Sequence, residues 1–379
     1  MILHEKQQQA VGLLLFFLRP IFVDKDLPGY SYIFSSIRMV YCSQFSEKSV
    51  FMDIRTIYHT SVPDWLLPFL EVPEMHRLKD VGMNCGCEYT ALPPLRKIHS
   101  YSRWDHSVGT ALIVWHFTED PKQTLSALFH DISTPAFAHA VDFLRGDHQT
   151  QESTEAGTLE MIRSSSSIRS LLHPLGLTAE DVGDYHRFSI ADNVSPRLCA
   201  DRLEYSCGNI IQFGFASPSE IRSIVEDLTV GKNEDGEEEL MFRSLETAVS
   251  FARLALKCSH VYVSDGDRCA MQTLADLLQD ALREGVLSTE ALYTTESRVI
   301  SALVSSRYRE RWEQFCSLSA VFCSDQPGET GDWRIVPSKK RYIDPFVLRS
   351  GRVSSLDSGF ALQTQQFLEL SLDHWIRGI

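Results

Sequence analysis

Apolar residues recur along most of this chain at helical spacing. Trp104, Val108, Ala111, Leu112 and Trp115 fall at i, i+4, i+7, i+8 and i+11, one face of an amphipathic helix. Leu125, Leu128, Phe129 and Ile132 repeat that face on a following helix. Residues 65–81 mix apolar and charged positions at the same period, and further helices are predicted around 153–163, 196–210, 218–228, 243–259, 270–284 and 360–369. Strand-like stretches are few: 49–57, an extended piece at 88–92, and 333–348. Acidic, glycine-bearing segments at 231–239 and 325–332 read as solvated turns, and no repeat of 20–50 residues stands out. The pattern predicts a mostly α protein with minor β elements near the N-terminus and in the C-terminal tail. Its expected parts are an N-terminal extension over 1–48, a helical body over 49–320 and an α/β tail over 321–379.

Composition narrows the classes. The 379 residues carry 36 basic and 50 acidic side chains, a formal charge of −14, and 44% are hydrophobic. So large an apolar fraction excludes overall disorder and is ample for a sizeable core. The acidic balance argues against a general nucleic-acid or anionic-membrane binder, which needs a basic face. It is silent about small anionic substrates.

Nine cysteines show no CxxC spacing, and Cys85-Gly86-Cys87 is the one close pair. Reduced thiols in a cytoplasmic protein are the expectation. Residues 10–23 are apolar but too short to span a bilayer and are interrupted by Arg19-Pro20. They read as a packed segment, not a signal peptide.

The candidate chemistry lies between Ser102 and His148. Adjacent His130-Asp131 places an imidazole and a carboxylate about 100° apart on a helix, able to grip one ion from the same end. His106 sits on the preceding amphipathic helix, and antiparallel packing of the two helices would bring it close. Asp201 is the best downstream candidate for a fourth ligand, sharing a helical face with Tyr205 and Asn209. Nitrogen and carboxylate donors together suit one divalent ion of Mn, Fe, Ni, Zn or Mg.

In this order, His106, His130-Asp131 and Asp201 resemble the HD superfamily of metal-dependent phosphohydrolases, whose ligands follow the pattern H…HD…D. Arg103-Trp104-Asp105-His106-Ser107-Val108-Gly109 looks like the R-F-x-H-S-x-G segment of its deoxynucleoside-triphosphate triphosphohydrolase-like branch, and residues 130–139 look like that branch's H-D-[IL]-G-H-x-P-F-S-H. The resemblance covers roughly 49–304, with an echo at 339–345, and implies an HD-domain helical bundle with its metal core over about 100–210. It implies His106, His130, Asp131 and Asp201 as metal ligands, with His139, its acidic partner Asp142 and His148 as catalytic groups. Arg202 stands where a basic phosphate contact is found, Tyr205 where a tyrosine packs by a sugar, and Asn209 where an aspartate holds the sugar 3′-hydroxyl. Arg103 is a further candidate for the phosphate oxygens.

Ser133-Thr134 stands in place of a Gly-His pair, and Ser264 where a histidine ends the family's VY-x-H. The duller alternatives are a solvated His148, an Arg202 paired with Glu204 or Asp201, and a Tyr205 in the core. The expected activity is hydrolysis of (deoxy)nucleoside triphosphates to nucleoside and triphosphate by a metal-activated water. The alternatives are a phosphatase or phosphodiesterase on another phosphorylated metabolite and a low-turnover nucleotide-binding scaffold. The expected partner is a small phosphorylated molecule, a nucleotide, with neither membrane nor nucleic acid. Oligomers of identical chains are common in that branch.

Overall fold

Side-chain caps mark the helix starts in this chain and fix where the site residues fall. The computed structural model describes residues 55–93, 95–98, 101–141 and 157–379. Helix α1, Arg103–Thr118, opens on a capping box in which Ser102 Oγ accepts from the Asp105 amide at 3.2 Å and Asp105 accepts from the Ser102 amide at 3.1 Å. It ends at Glu119, in the left-handed region at φ 50°. Asp120 then caps α2, Pro121–Phe129, whose leading proline lacks only a donor the first turn would not use. The two-residue link sets α1 and α2 side by side, the first turn of one against the last turn of the other.

Helix α3, Ala200–Gln212, packs on α1. The remaining long helices are α4 (Pro218–Glu226), α5 (Leu245–Tyr262), α6 (Asp265–Arg283), α7 (Glu296–Val304), α8 (Arg309–Ser317) and α9 (Ser358–Glu369). The fold is mostly α with small sheets, as the periodicity predicts.

Local departures have clear reasons. The helix expected over 65–81 is broken into Leu67–Leu70 and Pro73–Arg77, because Pro68 and Pro73 each serve as a first-turn residue and cannot sit mid-helix. The piece at 88–92 is no strand; Cys87–Tyr89 is a 3-10 turn. Of the strand expected over 49–57, the described part is helical, Arg55–Tyr58. Of 333–348, only Phe346–Val347 is a strand.

A hairpin was not predicted at all. β1, Leu228–Lys232, pairs antiparallel with β2, Glu238–Phe242. β2 pairs in parallel with β4 (Phe346–Val347), which pairs with β5 (Gly351–Arg352). The acidic segment joining β1 to β2 is only partly solvated, since Glu239 is fully buried and bound by Arg352 and Asn233. Farther along, β3 (Val321–Ser324) and β6 (Trp375–Gly378) make a second antiparallel pair beside α6.

Two hydrophobic clusters organise the interior. One gathers α1–α5 and the four-stranded sheet; the other gathers α6–α8 with Cys85, Cys87 and Phe137. A cleft lies between them. Among the described residues all the cysteines are free thiols, most of them buried, and no helix is long and apolar enough to cross a membrane. Residues 1–54, expected to hold the extension and the first strand's start, lie outside the described residues.

Candidate metal centre

The antiparallel pairing brings His106, in the first turn of α1, against His130 at the end of α2. His130 and Asp131 are not mid-helix as predicted: α2 ends at Phe129, His130 is its C-cap, and Asp131 begins a turn. The helix stops there because the chain must swing toward Phe137 and Ala138, both at positive φ (63° and 42°), which deliver His139 to the cleft. Asp201 lies in the first turn of α3, where the helix dipole favours a carboxylate.

Both imidazoles are oriented through Nδ1. His130 Nδ1 donates to the Ala127 carbonyl at 2.7 Å, and His106 Nδ1 donates to Glu204 Oε2 at 2.6 Å. Each ring therefore turns its Nε2 inward, an acceptor when the ring is neutral. The two Nε2 atoms lie 3.1 Å apart, and Asp201 Oδ1 lies 3.0 Å from His106 and 3.7 Å from His130. Acceptors this close repel unless positive charge sits among them. Burial alone would lower the His106 pKa, but its bonds to Asp201 and Glu204 and their charges raise it to about 10, so this ring is neutral only when a cation takes the place of its second proton.

Ligands at about 2.0–2.2 Å from one ion stand about 3–3.6 Å apart, so His106, His130 and Asp201 fit a divalent cation in both spacing and donor type. Asp131 stands slightly farther off. Its Oδ2 is 3.6 Å from His130 Nε2 and 3.9 Å from His106 Nε2 while accepting from Arg103 Nη1 at 2.7 Å. Its Oδ1 accepts from Thr134 at 2.8 Å. Burial would raise the Asp131 carboxyl, yet Arg103 and the two histidines hold it well below the usual range. Asp201 is likewise drawn down to about 2 against its burial, by His106 and His130.

Several assignments need correcting. Arg103 is buried and committed to Asp131, so it neutralises a ligand candidate before any substrate. Arg202 pairs with neither Glu204 nor Asp201. It turns onto the loop before α3, donating to the Arg197 carbonyl at 2.7 Å, to Asn193, and to Asp192 at 3.1 Å, and it does not line the cleft. Thr134, in the place of the absent histidine, braces Asp131. Asp142 and His148 lie outside the described residues.

The cleft encloses about 200 Å³, and His139, Tyr205 and Asn209 all line it. Beyond the histidines its wall is rich in hydroxyl and amide groups. Asn209 Nδ2 donates to the Tyr262 hydroxyl at 2.8 Å, and its buried Oδ1 has no hydrogen-bond partner among the described residues. Asp267, beside Tyr262, is pushed by burial up to about 7, with Arg268 opposing.

Sequence reasoning missed four contributors. Glu204 is fully buried between His106 and the Tyr101 hydroxyl, which also donates to it. Two helical glycines make its room: a Cβ on Gly109 would lie 2.5 Å from Glu204 Oε1, and one on Gly208 would lie 2.3 Å from the Tyr101 hydroxyl. The signal was present as a carboxylate three residues after Asp201, near the same helix face. Asp267, Lys339 and Arg341 also line the cleft; the echo at 339–345 marked the segment of the last two but gave them no role.

No protein-family model matches the chain. Over 212 residues it is 26% identical to the uncharacterised protein YdhJ of Bacillus subtilis, covering 55% of this chain and 63% of that protein. Over 166 residues it is 25% identical to the metal-dependent phosphohydrolase cns2 of Cordyceps militaris, covering 43% of this chain and 45% of that one. The matches thus span between about half and two thirds of these curated relatives. Among solved structures, a phosphohydrolase from Bacteroides thetaiotaomicron superposes with a TM-score of 0.58 at 14% identity, covering 84% of this chain and 96% of its own. That likeness is one of fold.

Proposed function

We infer that the chain is a metal-dependent phosphohydrolase of the HD type, and that a (deoxy)nucleoside triphosphate, cleaved to nucleoside and triphosphate, is its substrate. The observation that carries this reading is the convergence of His106, His130 and Asp201 on one point in the wall of the cleft, with Asp131 beside them. The similarity to a metal-dependent phosphohydrolase of Cordyceps militaris points the same way.

His106, His130, Asp131 and Asp201 would hold the ion. When bound, it supplies Lewis acidity toward a phosphoryl oxygen and a nucleophile active at neutral pH. The chain's own residues do the rest. Glu204 and the Ala127 carbonyl fix both imidazole tautomers, so that Nε2 faces the site. His139, delivered by the strained turn at 137–138, donates a proton to the departing oxygen. Tyr205, Tyr262 and the unpartnered Asn209 Oδ1 receive a hydroxyl-bearing group, as a sugar provides.

A second reading, a phosphatase or phosphodiesterase on a smaller phosphorylated metabolite, is favoured by one observation. Thr134 turns its hydroxyl onto Asp131, leaving that position no group for a further phosphate. Buried free thiols accord with a cytoplasmic setting.

Metal analysis of the purified chain, followed by chromatography of products from dNTPs, NTPs, monophosphates and cyclic nucleotides, tests both. Near-stoichiometric metal with released triphosphate is the expected result. Orthophosphate or an opened diester selects the second reading. Absence of metal defeats the site.

A further inference from the structure

We propose that Asp267 is a specificity-determining residue that, together with Asn209, receives a pair of neighbouring sugar hydroxyls and so selects ribonucleotides over their deoxy counterparts. This rests on the nucleotide-hydrolase reading of the cleft and deepens it by naming the sugar. Asp267 and Asn209 both line the cleft. Asn209 is buried, its Oδ1 has no partner among the described residues, and its Nδ2 donates to the Tyr262 hydroxyl at 2.8 Å. Asp267 lies near enough to that hydroxyl for its charge to act on it. Two acceptors thus gather about one phenol.

The place of Asp267 in α6 makes its carboxylate informative. It is the third residue of the helix, where an acid ordinarily reaches back to the cap amide. Asp105 in α1 and Glu220 in α4 do so, at 3.1 and 2.8 Å. In α6 the Ser264 amide donates instead to the Val261 carbonyl at 3.0 Å, while Ser264 Oγ accepts from the Asp267 amide at 3.3 Å. Neighbouring Arg268 directs Nη2 to Asp265 at 2.6 Å and Nη1 to the Val336 and Leu372 carbonyls. No described group donates to the Asp267 carboxylate, and burial pushes it up to about 7 with only Arg268 opposing. The helix start is held without this side chain, which faces the cleft.

Both atoms are acceptors, so the occupant must bring donors. A base edge mixes acceptors among its donors, whereas two neighbouring hydroxyls can both donate. Asn209 lies two helical turns past Asp201, about 12 Å along α3, which leaves room for a phosphoryl group between the ion site and the hydroxyls. A carboxylate also repels phosphoryl oxygens, so Asp267 fixes which end of the substrate lies at the ion. A 2′-deoxy sugar leaves one acceptor unmatched, and that is the source of the discrimination.

The test titrates the metal-loaded full chain calorimetrically with the hydrolysis-resistant 5′-methylenephosphonates of adenosine, uridine and 2′-deoxyadenosine, and with orthophosphate. The parent should bind the two ribose probes roughly 10- to 100-fold more tightly than the deoxy probe. Asp267→Ala should remove that preference, weakening both ribose probes alike and leaving orthophosphate binding and metal content unchanged. Asp267→Asn keeps one acceptor oxygen and should recover part of the preference. Asp265→Asn removes the same charge from a residue that does not line the cleft, and should keep the parent's preference. Equal parental affinity for the adenosine and deoxyadenosine probes, or a loss in Asp267→Ala as large for the deoxy probe, overturns the proposal. Sparing of the uridine probe would assign the loss to the base and overturns it as well. A parent that shows the preference through Asp267 yet hydrolyses no phosphoester leaves the selector standing and defeats the phosphohydrolase reading. Hydrolysis of nucleoside triphosphates with an ATP-to-dATP ratio of kcat/KM that Asp267→Ala leaves unaltered does the reverse.

Discussion

Two groups of buried and half-buried carboxylates differ in what faces them, and that decides their chemistry. Asp131, Asp201 and Glu204 look onto His106, His130 and Arg103; Asp131 and Asp201 are held low against desolvation, whereas at fully buried Glu204 burial outweighs His106 and Tyr101 and raises the carboxyl. Glu88 and Glu296 look onto each other. Their neighbours are neutral donors and another acid: Tyr89 Oη at 2.8 Å from Glu296, the Gly82 and Phe137 amides at 2.9 and 3.3 Å, and Asp80 nearby. Burial and mutual repulsion raise Glu88 to about 8 and raise Glu296 as well. A buried acid keeps its negative charge where cations surround it and keeps its proton where they do not. The first group can therefore attract an ion, while the second holds at least one proton between its two acids and braces the turn that carries His139.

The strongest way to break this contrast is to remove single acids from the first group. Asp201→Ala and Asp131→Ala should both abolish metal retention and turnover, read by metal analysis and product assay. Their stabilities should differ. Asp201 is partly exposed, so its loss should cost about 1 kcal/mol. Asp131→Ala strands the buried Arg103 without a counter-charge and should cost about 3–5 kcal/mol. Urea unfolding after chelator treatment separates the two from any contribution of bound metal. Equal stabilities would mean that Arg103 finds another partner and that Asp131 is only a ligand.

A subtler perturbation is Glu204→Gln, which keeps the shape and removes the charge behind His106. The buried imidazole then loses the carboxylate that fixes its Nδ1–H, and metal affinity should fall about 10- to 100-fold with the fold retained. Competition with a chromogenic chelator measures it. Unchanged affinity would reduce Glu204 to a packing residue.

The helices that carry the first group were legible because amphipathic periodicity and capping residues are local signals. α1 starts at Arg103, one residue before its stripe begins at Trp104, and α2 at Pro121, four before Leu125. The ligand candidates were legible because their order along the chain is unusual. Glu204 was not, because a carboxylate in a helix is ordinary until Gly109 and Gly208 are seen making room for it and for Tyr101. Arg202 misled for the converse reason: its neighbours in sequence are acids, but the loop folding back over 192–197 gives it closer partners. The segment at 339–345 stood out only as an echo without a place, and the Glu88–Glu296 pair depends on a contact across about two hundred residues of chain, which no local pattern encodes.

The second group predicts a smaller, pH-dependent effect. An unfolded glutamate releases its proton near pH 4.5, whereas folded Glu88 retains its own up to about pH 8. Below the lower value both states are protonated and the pair contributes its full stability. As pH rises from about 4.5 to 8 the unfolded chain sheds protons that the folded chain holds, so stability declines, by at most about 1.4 kcal/mol per pH unit for each such proton. Above pH 8 the folded chain releases its proton too and the decline from Glu88 ends. Glu88→Gln supplies a permanently neutral group and should flatten this slope, with Tm measured between pH 5 and 9 falling less than in the parent. Because Glu296 also bonds the Phe137 amide at the His139 turn, the parent's loss of stability should be accompanied by faster amide exchange there. A parental slope in Glu88→Gln would mean that the pair is ionised in the folded chain, and the distinction between the two acid groups would fall with it.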